Sequence, residues 1–174
     1  MLKVASYDVV FQEIPGEVTL ALNLSGCPCH CKGCHSPHLW EDTGEELDEA
    51  LLDGLVERYG TMITCVAFMG GDQAPGEVAH WAEYVKNCPS SIGHRPSSLK
   101  VAWYSGRPLT PETFNTQTSF DFPLSTFDYV KFGPYVEALG GLKSPTTNQR
   151  FYKRSGDEWQ DMTAAFRHSA FEKN

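Results

Sequence analysis

Four cysteines fall within eight residues of one another, and no other feature of this sequence restricts its fold as strongly. They stand in the stretch Gly26-Cys27-Pro28-Cys29-His30-Cys31-Lys32-Gly33-Cys34. The chain has six cysteines in 174 residues, which is too few for a disulfide scaffold. The N-terminal stretch MLKVASYDVV lacks an apolar signal core followed by a small-residue cleavage site. We therefore expect a cytoplasmic protein.

Length and composition predict one folded domain over residues 1–174. Within it we expect a core of about residues 17–135 and a C-terminal segment, 136–174, that packs on this core or contacts a partner. Hydrophobic residues make up 41% of the chain, and no run of about 18 apolar residues exists, which argues against a membrane partner. Acidic residues outnumber basic ones by 14 to 4 in residues 1–87, which argues against a nucleic-acid partner.

Strands and helices are predicted to alternate along the chain. Alternating or continuous apolar runs predict strands over residues 2–11, 17–24, 62–69, 99–104 and 127–132. Thr43 and Glu46 form a capping-box pattern, which predicts an acidic helix from Thr43 to Tyr59 that ends at Gly60. Pro75 is placed to open a second helix. The alternation predicts an α/β fold with a mostly parallel open sheet and helices outside it.

Three interpretations of the cysteine cluster compete. A structural zinc site commonly uses two separated Cys-x-x-Cys knuckles, and only one such pair is present here. An electron-transfer ferredoxin needs a different spacing with four thiolates per cluster. The favoured interpretation uses Cys27, Cys31 and Cys34 to hold three irons of a 4Fe-4S cluster, so that the fourth iron is free to bind a substrate or cofactor. Cys29 is then a spare loop thiol or a small packing residue.

The spacing Cys27-x3-Cys31-x2-Cys34 resembles the signature of the radical S-adenosylmethionine enzymes. This resemblance implies a small partial (βα) barrel of the radical S-adenosylmethionine type, with a 4Fe-4S cluster on the three cysteines. It also implies S-adenosyl-L-methionine as the second cofactor, bound on the open iron. Gly33 departs from the pattern, since many members have an aromatic residue there that packs on the adenine.

Candidate cofactor-binding residues stand at the ends of the later strands, where ligands of such sheets collect. Gly70, Gly71 and Asp72 resemble the motif that binds the methionine amino group, because glycines admit an ammonium group to the backbone and a carboxylate can accept a charge-assisted hydrogen bond. Ser105 follows the next strand, either as a simple turn or in reach of the ribose or methionine portion. Lys131 is either a solvated lysine or the partner of the methionine carboxylate.

Further motifs resemble the anaerobic ribonucleoside-triphosphate reductase activating proteins, a family of glycyl-radical-enzyme activases. These motifs are the stretch from Asp128 to Gly133-Pro134-Tyr135 and Thr147-Asn148-Gln149-Arg150. The stretch Cys34-His35-Ser36-Pro37-His38-Leu39-Trp40 resembles the one that follows the cluster in glycyl-radical-enzyme activases generally. The resemblance implies an oxidoreductase that cleaves S-adenosylmethionine reductively. The 5′-deoxyadenosyl radical then abstracts a glycine Cα hydrogen from the glycyl radical subunit of anaerobic ribonucleotide reductase. It also implies an electron donor such as flavodoxin or ferredoxin, and the chain's small size favours a protein substrate.

Other functions stay open at this point. The chain could activate another glycyl radical enzyme of the formate-lyase type, or act as a small-molecule radical S-adenosylmethionine enzyme. It could also be an iron–sulfur or zinc interaction module without enzymatic activity. Cys65 is expected to be a buried core residue without a functional role, since free cysteine packs as a small hydrophobe. The sequence assigns no role to Cys88, Asn148, Gln149 or Arg150, and it does not identify the residue that holds the adenine.

Overall fold

The computed structural model describes residues 1–87, 98–117 and 120–168. The described chain forms a mixed α/β fold around one open sheet of eight strands, in the order β3-β1-β2-β4-β5-β6-β7-β8. The elements are β1 (Lys3–Val10), β2 (Thr19–Leu24), β3 (Glu45–Glu46), α1 (Glu49–Tyr59), β4 (Cys65–Met69), α2 (Pro75–Asn87), β5 (Lys100–Tyr104), α3 (Pro111–Gln117), β6 (Tyr129–Phe132), β7 (Arg150–Ser155), β8 (Glu158–Asp161) and α4 (Ala165–His168).

The four central strands, β2, β4, β5 and β6, pair in parallel, and the strands on both sides of them are antiparallel. The predicted α/β class and open sheet are confirmed, whereas the predicted mostly parallel pairing is wrong. The physical reason lies in the connections. A short link through the Pro15-Gly16 turn joins β1 to β2, and a tight turn joins β7 to β8. Only antiparallel strands can be joined so briefly.

Apolar side chains cover both faces of the sheet. The larger cluster packs α1, α2 and α3 against one face and includes Leu22, Phe68, Trp103 and Phe132. The smaller cluster covers the other face with Ile14, Cys65, Ala67, Ala102, Tyr129, Phe151 and Phe166. Cys65 is therefore a buried core residue, as the sequence indicates, and Cys88 lies outside the described residues. Burial on both faces explains why the central strands are nearly continuous apolar runs.

The helix predicted from the capping box begins later than expected. Glu45 and Glu46 instead form β3 against β1, and the N-cap of α1 is Asp48, whose carboxylate accepts a hydrogen bond from the Leu51 amide at 2.8 Å. Asp48 is as good an N-cap as Thr43, and pairing with β1 fixes the extended backbone between them. The helix ends at Gly60 as predicted. Among the described residues, no helix has the length and apolar character that a membrane crossing requires.

Candidate cofactor site

A cavity of about 240 Å³ lies at the carboxyl ends of the four parallel strands. This is the edge at which open α/β sheets bind their ligands. The cavity is lined by seven of the eight site residues expected from the sequence, and Gly71 is the exception. The lining residues are Asn23, Leu24, Cys27, Cys29, Cys31, Cys34, Ser36, Leu39, Trp40, Met69, Gly70, Asp72, Tyr104, Ser105, Gly106, Lys131, Tyr135 and Gln149.

The cysteine loop is closed on itself by backbone hydrogen bonds. The Cys27 amide donates to the Leu39 carbonyl at 2.9 Å, and the Cys34 amide donates to the Cys31 carbonyl at 3.1 Å. The Ser36 amide lies 3.4 Å from the Cys34 sulfur and donates to it. Amide donors of this kind stabilise a thiolate, so the loop suits metal-bound sulfur.

The donor set fits a cluster better than it fits a single metal ion. Cys27, Cys31 and Cys34 are free, partly exposed thiols on one cavity wall. Among residues 1–87, 98–117 and 120–168, no three His, Cys, Asp or Glu side chains converge as ligands of one ion. A mononuclear site needs such convergence at about 2.0–2.3 Å, whereas a 4Fe-4S cluster takes each thiolate on a different iron.

The nearby histidines have aromatic partners. The rings of His30 and Trp40 stack with their centroids 4.9 Å apart, and those of His35 and Tyr135 lie at the same distance in a tilted arrangement. Trp40 and Tyr135 also line the cavity. The contact between His35 and Tyr135 joins the cysteine loop to the segment that follows β6, so the cavity is walled on that side.

Asp72 is a buried carboxylate that the chain itself holds in place. Its side chain accepts hydrogen bonds from the Ser105 hydroxyl at 2.6 Å and from the Gly106 amide at 2.8 Å. Arg107 lies 3.5 Å from the carboxylate and also donates to the Asp72 carbonyl at 2.8 Å. Asp72 is only 3% exposed, and these contacts fix the orientation of its carboxylate at the cavity.

The two glycines before Asp72 serve different purposes. Gly70 lines the cavity with φ +104°, and its carbonyl already accepts a hydrogen bond from the Trp103 indole at 2.9 Å. Gly71 has φ +84°, and a Cβ there would lie 2.4 Å from Val78 and 2.9 Å from Leu24. Gly71 is therefore required by backbone conformation and packing. The structure does not place it among the residues that line the cavity.

Ser105 and Lys131 are both buried, which excludes the solvated-lysine alternative for Lys131. The Ser105 hydroxyl donates to Asp72 and accepts from the Arg107 amide at 3.1 Å, so it acts on the site through Asp72. The Lys131 ammonium donates to the Gly133 carbonyl at 2.7 Å. Burial lowers the pKa of Lys131 to about 8, although Asp72 and the cysteine thiolates act in the opposite direction.

Cys29 lines the cavity and is half-buried. Its sulfur is 3.9 Å from a carboxylate oxygen of Asp72, and a Cβ on Gly106 would lie 2.5 Å from it. Burial, together with the charges of Asp72 and Cys27, raises the pKa of Cys29 to about 12.

Sequence reasoning did not assign Gln149 or Arg107 to this site. Gln149 lines the cavity with 7% of its surface exposed, and its only sequence signal is its place in the Thr147-Asn148-Gln149-Arg150 stretch. Arg150 lies outside the cavity lining and donates to the carbonyls of Thr147 and Gln149 at 2.7 and 2.9 Å. Arg107 lies two residues after Ser105, but nothing in its sequence context indicates that it would contact Asp72.

Comparison with known proteins gives one match. A family model described as a 4Fe-4S single cluster domain matches residues 15–120, more than half of the chain. The matched stretch contains the cysteine loop, Gly70, Asp72 and Ser105. No curated protein and no solved structure matches the chain.

Proposed function

The chain belongs to the family of 4Fe-4S single cluster domains, and from this premise we propose that it is a radical S-adenosylmethionine enzyme that activates anaerobic ribonucleotide reductase. One observation carries the proposal. Three cysteines with x3 and x2 spacing share a cavity with a fixed carboxylate, Asp72, and a buried ammonium, Lys131. An iron–sulfur module that only transferred electrons would need no such pair of charges beside its cluster.

Cys27, Cys31 and Cys34 would hold three irons and leave the fourth open. A reduced cluster bound there would supply one electron for cleavage of S-adenosylmethionine into methionine and a 5′-deoxyadenosyl group, which would accept a Cα hydrogen from a glycine of the partner. The protein binds and orients these groups and excludes water, while the cofactors supply the bond-breaking chemistry.

Asp72 and Lys131 suit the two charged ends of the methionine portion. The Asp72 carboxylate is directed by Ser105 and Gly106 and would accept from the ammonium group, which is a charge-assisted hydrogen bond. The Lys131 ammonium would pair with the carboxylate group. Gly70 exposes backbone to the same cavity.

The proposal extends to the whole chain. The four parallel strands, with the site at their carboxyl ends, would correspond to a partial barrel of the radical S-adenosylmethionine type. We propose a single cytoplasmic domain over residues 1–174. The hydrogen-bonded pairing of β7 with β6 supports this, because it ties the segment after residue 136 to the core sheet. The proposed partners are the glycyl radical subunit of the reductase and a donor such as flavodoxin or ferredoxin.

The test is radical formation on the partner. The anaerobically reconstituted protein is reduced and mixed with S-adenosylmethionine and the glycyl radical subunit of an anaerobic ribonucleotide reductase. An organic radical EPR signal is expected, and its hyperfine splitting should collapse when the subunit carries α-deuterated glycine. Radical formation only on a formate-lyase type enzyme would assign the chain to that class of activase, and cleavage without any glycyl radical would contradict the proposal.

A further inference from the structure

Two segments that are distant in sequence form one wall of the cavity. The Asn148 side-chain amide donates to the Pro134 carbonyl at 2.9 Å, and the Gln149 side-chain amide lies 3.4 Å from the Gly133 carbonyl. Gly133 has φ +110°, and a Cβ there would lie 3.1 Å from the Gln149 Cα. The close approach needs a glycine at 133, and it directs Gln149 into the cavity.

The Gln149 side chain has hydrogen-bonding capacity that the protein does not use. Its bond to the Gly133 carbonyl is long, and that carbonyl already accepts from Lys131 at 2.7 Å. In the described part of the chain, no donor bonds to the Gln149 side-chain oxygen. Only 7% of Gln149 is exposed and it lines the cavity. Because this oxygen faces the cavity and not the protein interior, a ligand in the cavity can donate a hydrogen bond to it.

Gln149 differs in its chemistry from the charged residues of the cavity. Asp72 and Lys131 match the charged groups of an amino acid, whereas Gln149 is neutral and offers one acceptor and two N–H donors. A peptide group presents the complementary N–H and C=O. A glycine residue has no side chain, so a protein can recognise it only through its main chain.

The position of Gln149 agrees with this chemistry. The cysteine loop follows β2, and Gln149 immediately precedes β7, at the other end of the strand series β2-β4-β5-β6-β7. Asp72 and Lys131 come from the strands between them. A cofactor held by those two residues would therefore lie between the cluster and Gln149, with a substrate segment beyond it.

We propose that Gln149 binds the main-chain amide of the partner's substrate glycine and so positions its Cα for hydrogen transfer. This inference rests on the proposed function. Gln149 is a positioning residue that acts on the protein substrate, and the charged groups of the cavity act on the cofactor.

The test separates substrate binding from cofactor binding. Gln149→Met keeps the approximate length of the side chain and removes its hydrogen bonds. The measurements are the S-adenosylmethionine dissociation constant from an EPR titration and the KM for the reductase subunit. A third measurement is deuterium transfer from α-deuterated glycine into 5′-deoxyadenosine. Gln160→Met is the matched control, because it makes the same substitution at an exposed position of β8 that does not line the cavity.

For Gln149→Met we expect the KM for the subunit to rise about tenfold, the loss of roughly one hydrogen-bonded pair. Deuterium transfer per cleavage should fall, and the S-adenosylmethionine dissociation constant should stay within about twofold. Gln160→Met should match wild type in both constants. If S-adenosylmethionine binding weakens as much as the KM for the subunit rises, Gln149 contacts the cofactor. If the KM does not change, Gln149 only completes the cavity wall. Either result overturns the inference. Failure of the proposed function itself would appear in the wild type, as absence of the glycyl radical.

Discussion

At the scale of single residues, Asp72 is a negative charge whose direction is fixed by the groups around it. The Ser105 hydroxyl and the Gly106 amide donate hydrogen bonds to its carboxylate, and the Arg107 side chain donates to its backbone carbonyl. Because its surroundings are ordered before a ligand arrives, little reorganisation is needed when an ammonium group binds. The motif Gly70-Gly71-Asp72 could be recognised from the sequence, but its supporting residues could not, since they come from the end of another strand.

Asp72→Asn tests this charge directly. Asparagine has nearly the same shape and no charge, so we expect S-adenosylmethionine to bind at least about tenfold more weakly, as for loss of a hydrogen bond to a charged group. Iron content should not change. Asp128→Asn is the matched control, because Asp128 contacts Lys86 and Arg154 far from the cavity. Equal affinity in Asp72→Asn and wild type would remove Asp72 from the cofactor site.

The four loop cysteines are predicted to separate into three ligands and one packing residue. After anaerobic reconstitution, Cys29→Ala should retain about four irons per chain, because a 4Fe-4S cluster on three thiolates does not need it. Alanine at position 27, 31 or 34 should lower the iron content strongly. Iron analysis of the four variants under identical conditions is sufficient, and loss of iron in Cys29→Ala would mean that Cys29 is a ligand.

At the scale of elements, the sequence predicts the central strands and α2 well and the edges of the sheet poorly. Strands β4, β5 and β6 are apolar runs because both of their faces are buried. β7 contains Arg150, Lys153 and Arg154 and β8 is mostly exposed, so neither carries a strong apolar pattern. Their pairing depends on tertiary contacts such as that of Phe151 with the core, which local sequence does not encode.

The junction between β4 and α2 tolerates an added methyl group at one glycine and not at another. Gly71→Ala should lower the melting temperature clearly, because φ +84° is unfavourable for alanine and the new Cβ would lie 2.4 Å from Val78. Gly76→Ala in α2 meets nothing within 4 Å, so it should be neutral or stabilise by up to about 1 kcal/mol. Thermal unfolding of both variants checks this, and equal melting temperatures would contradict it.

The amino ends of the parallel strands are held by a buried carboxylate, Glu17. It accepts hydrogen bonds from Thr64 at 2.6 Å and Tyr129 at 2.5 Å, and also from Lys100. Burial alone would raise the pKa of Glu17, but the hydrogen bonds from Lys100, Thr64 and Tyr129 outweigh it and lower the pKa below 4.5.

A lowered folded-state pKa gives Glu17 a defined effect on stability. Its contribution is fully present above the unfolded value near 4.5 and is lost as the pH falls through the lower folded value. Glu17→Gln should therefore flatten the fall in unfolding free energy below about pH 5. Glu83→Gln, at an exposed position of α2, should keep the wild-type pH profile. Chemical denaturation across pH 3–7 measures it, and an unchanged slope in Glu17→Gln would contradict the assignment.

At the scale of the whole molecule, stabilising and functional polar groups stand at opposite ends of one sheet. Glu17 with Lys100, and Asp128 with Lys86, lie at the amino ends of the parallel strands. The cavity with Asp72 lies at their carboxyl ends. Substitutions at one end should therefore add independently to substitutions at the other, which lets stability and cofactor binding be measured separately.

The site was more predictable from the sequence than the sheet that carries it. Cysteine spacing is local, so Cys27, Cys31 and Cys34 could be proposed as ligands without knowing the fold, and the structure places all three at the same cavity. The residues that complete the cavity, Gln149 above all, reach it only because β7 joins the sheet beside β6. Long-range pairing of this kind is visible in the structure and not in the pattern of nearby residues.

The measurement that tests the central claim most directly is the EPR spectrum of the reduced, anaerobically reconstituted protein before and after addition of S-adenosylmethionine. Three cysteine ligands would leave one iron open, so we expect S-adenosylmethionine to bind that iron and change the spectrum, with 5′-deoxyadenosine and methionine formed in equal amounts. Unchanged spectra and no 5′-deoxyadenosine, from a protein that holds about four irons, would contradict the open-iron site.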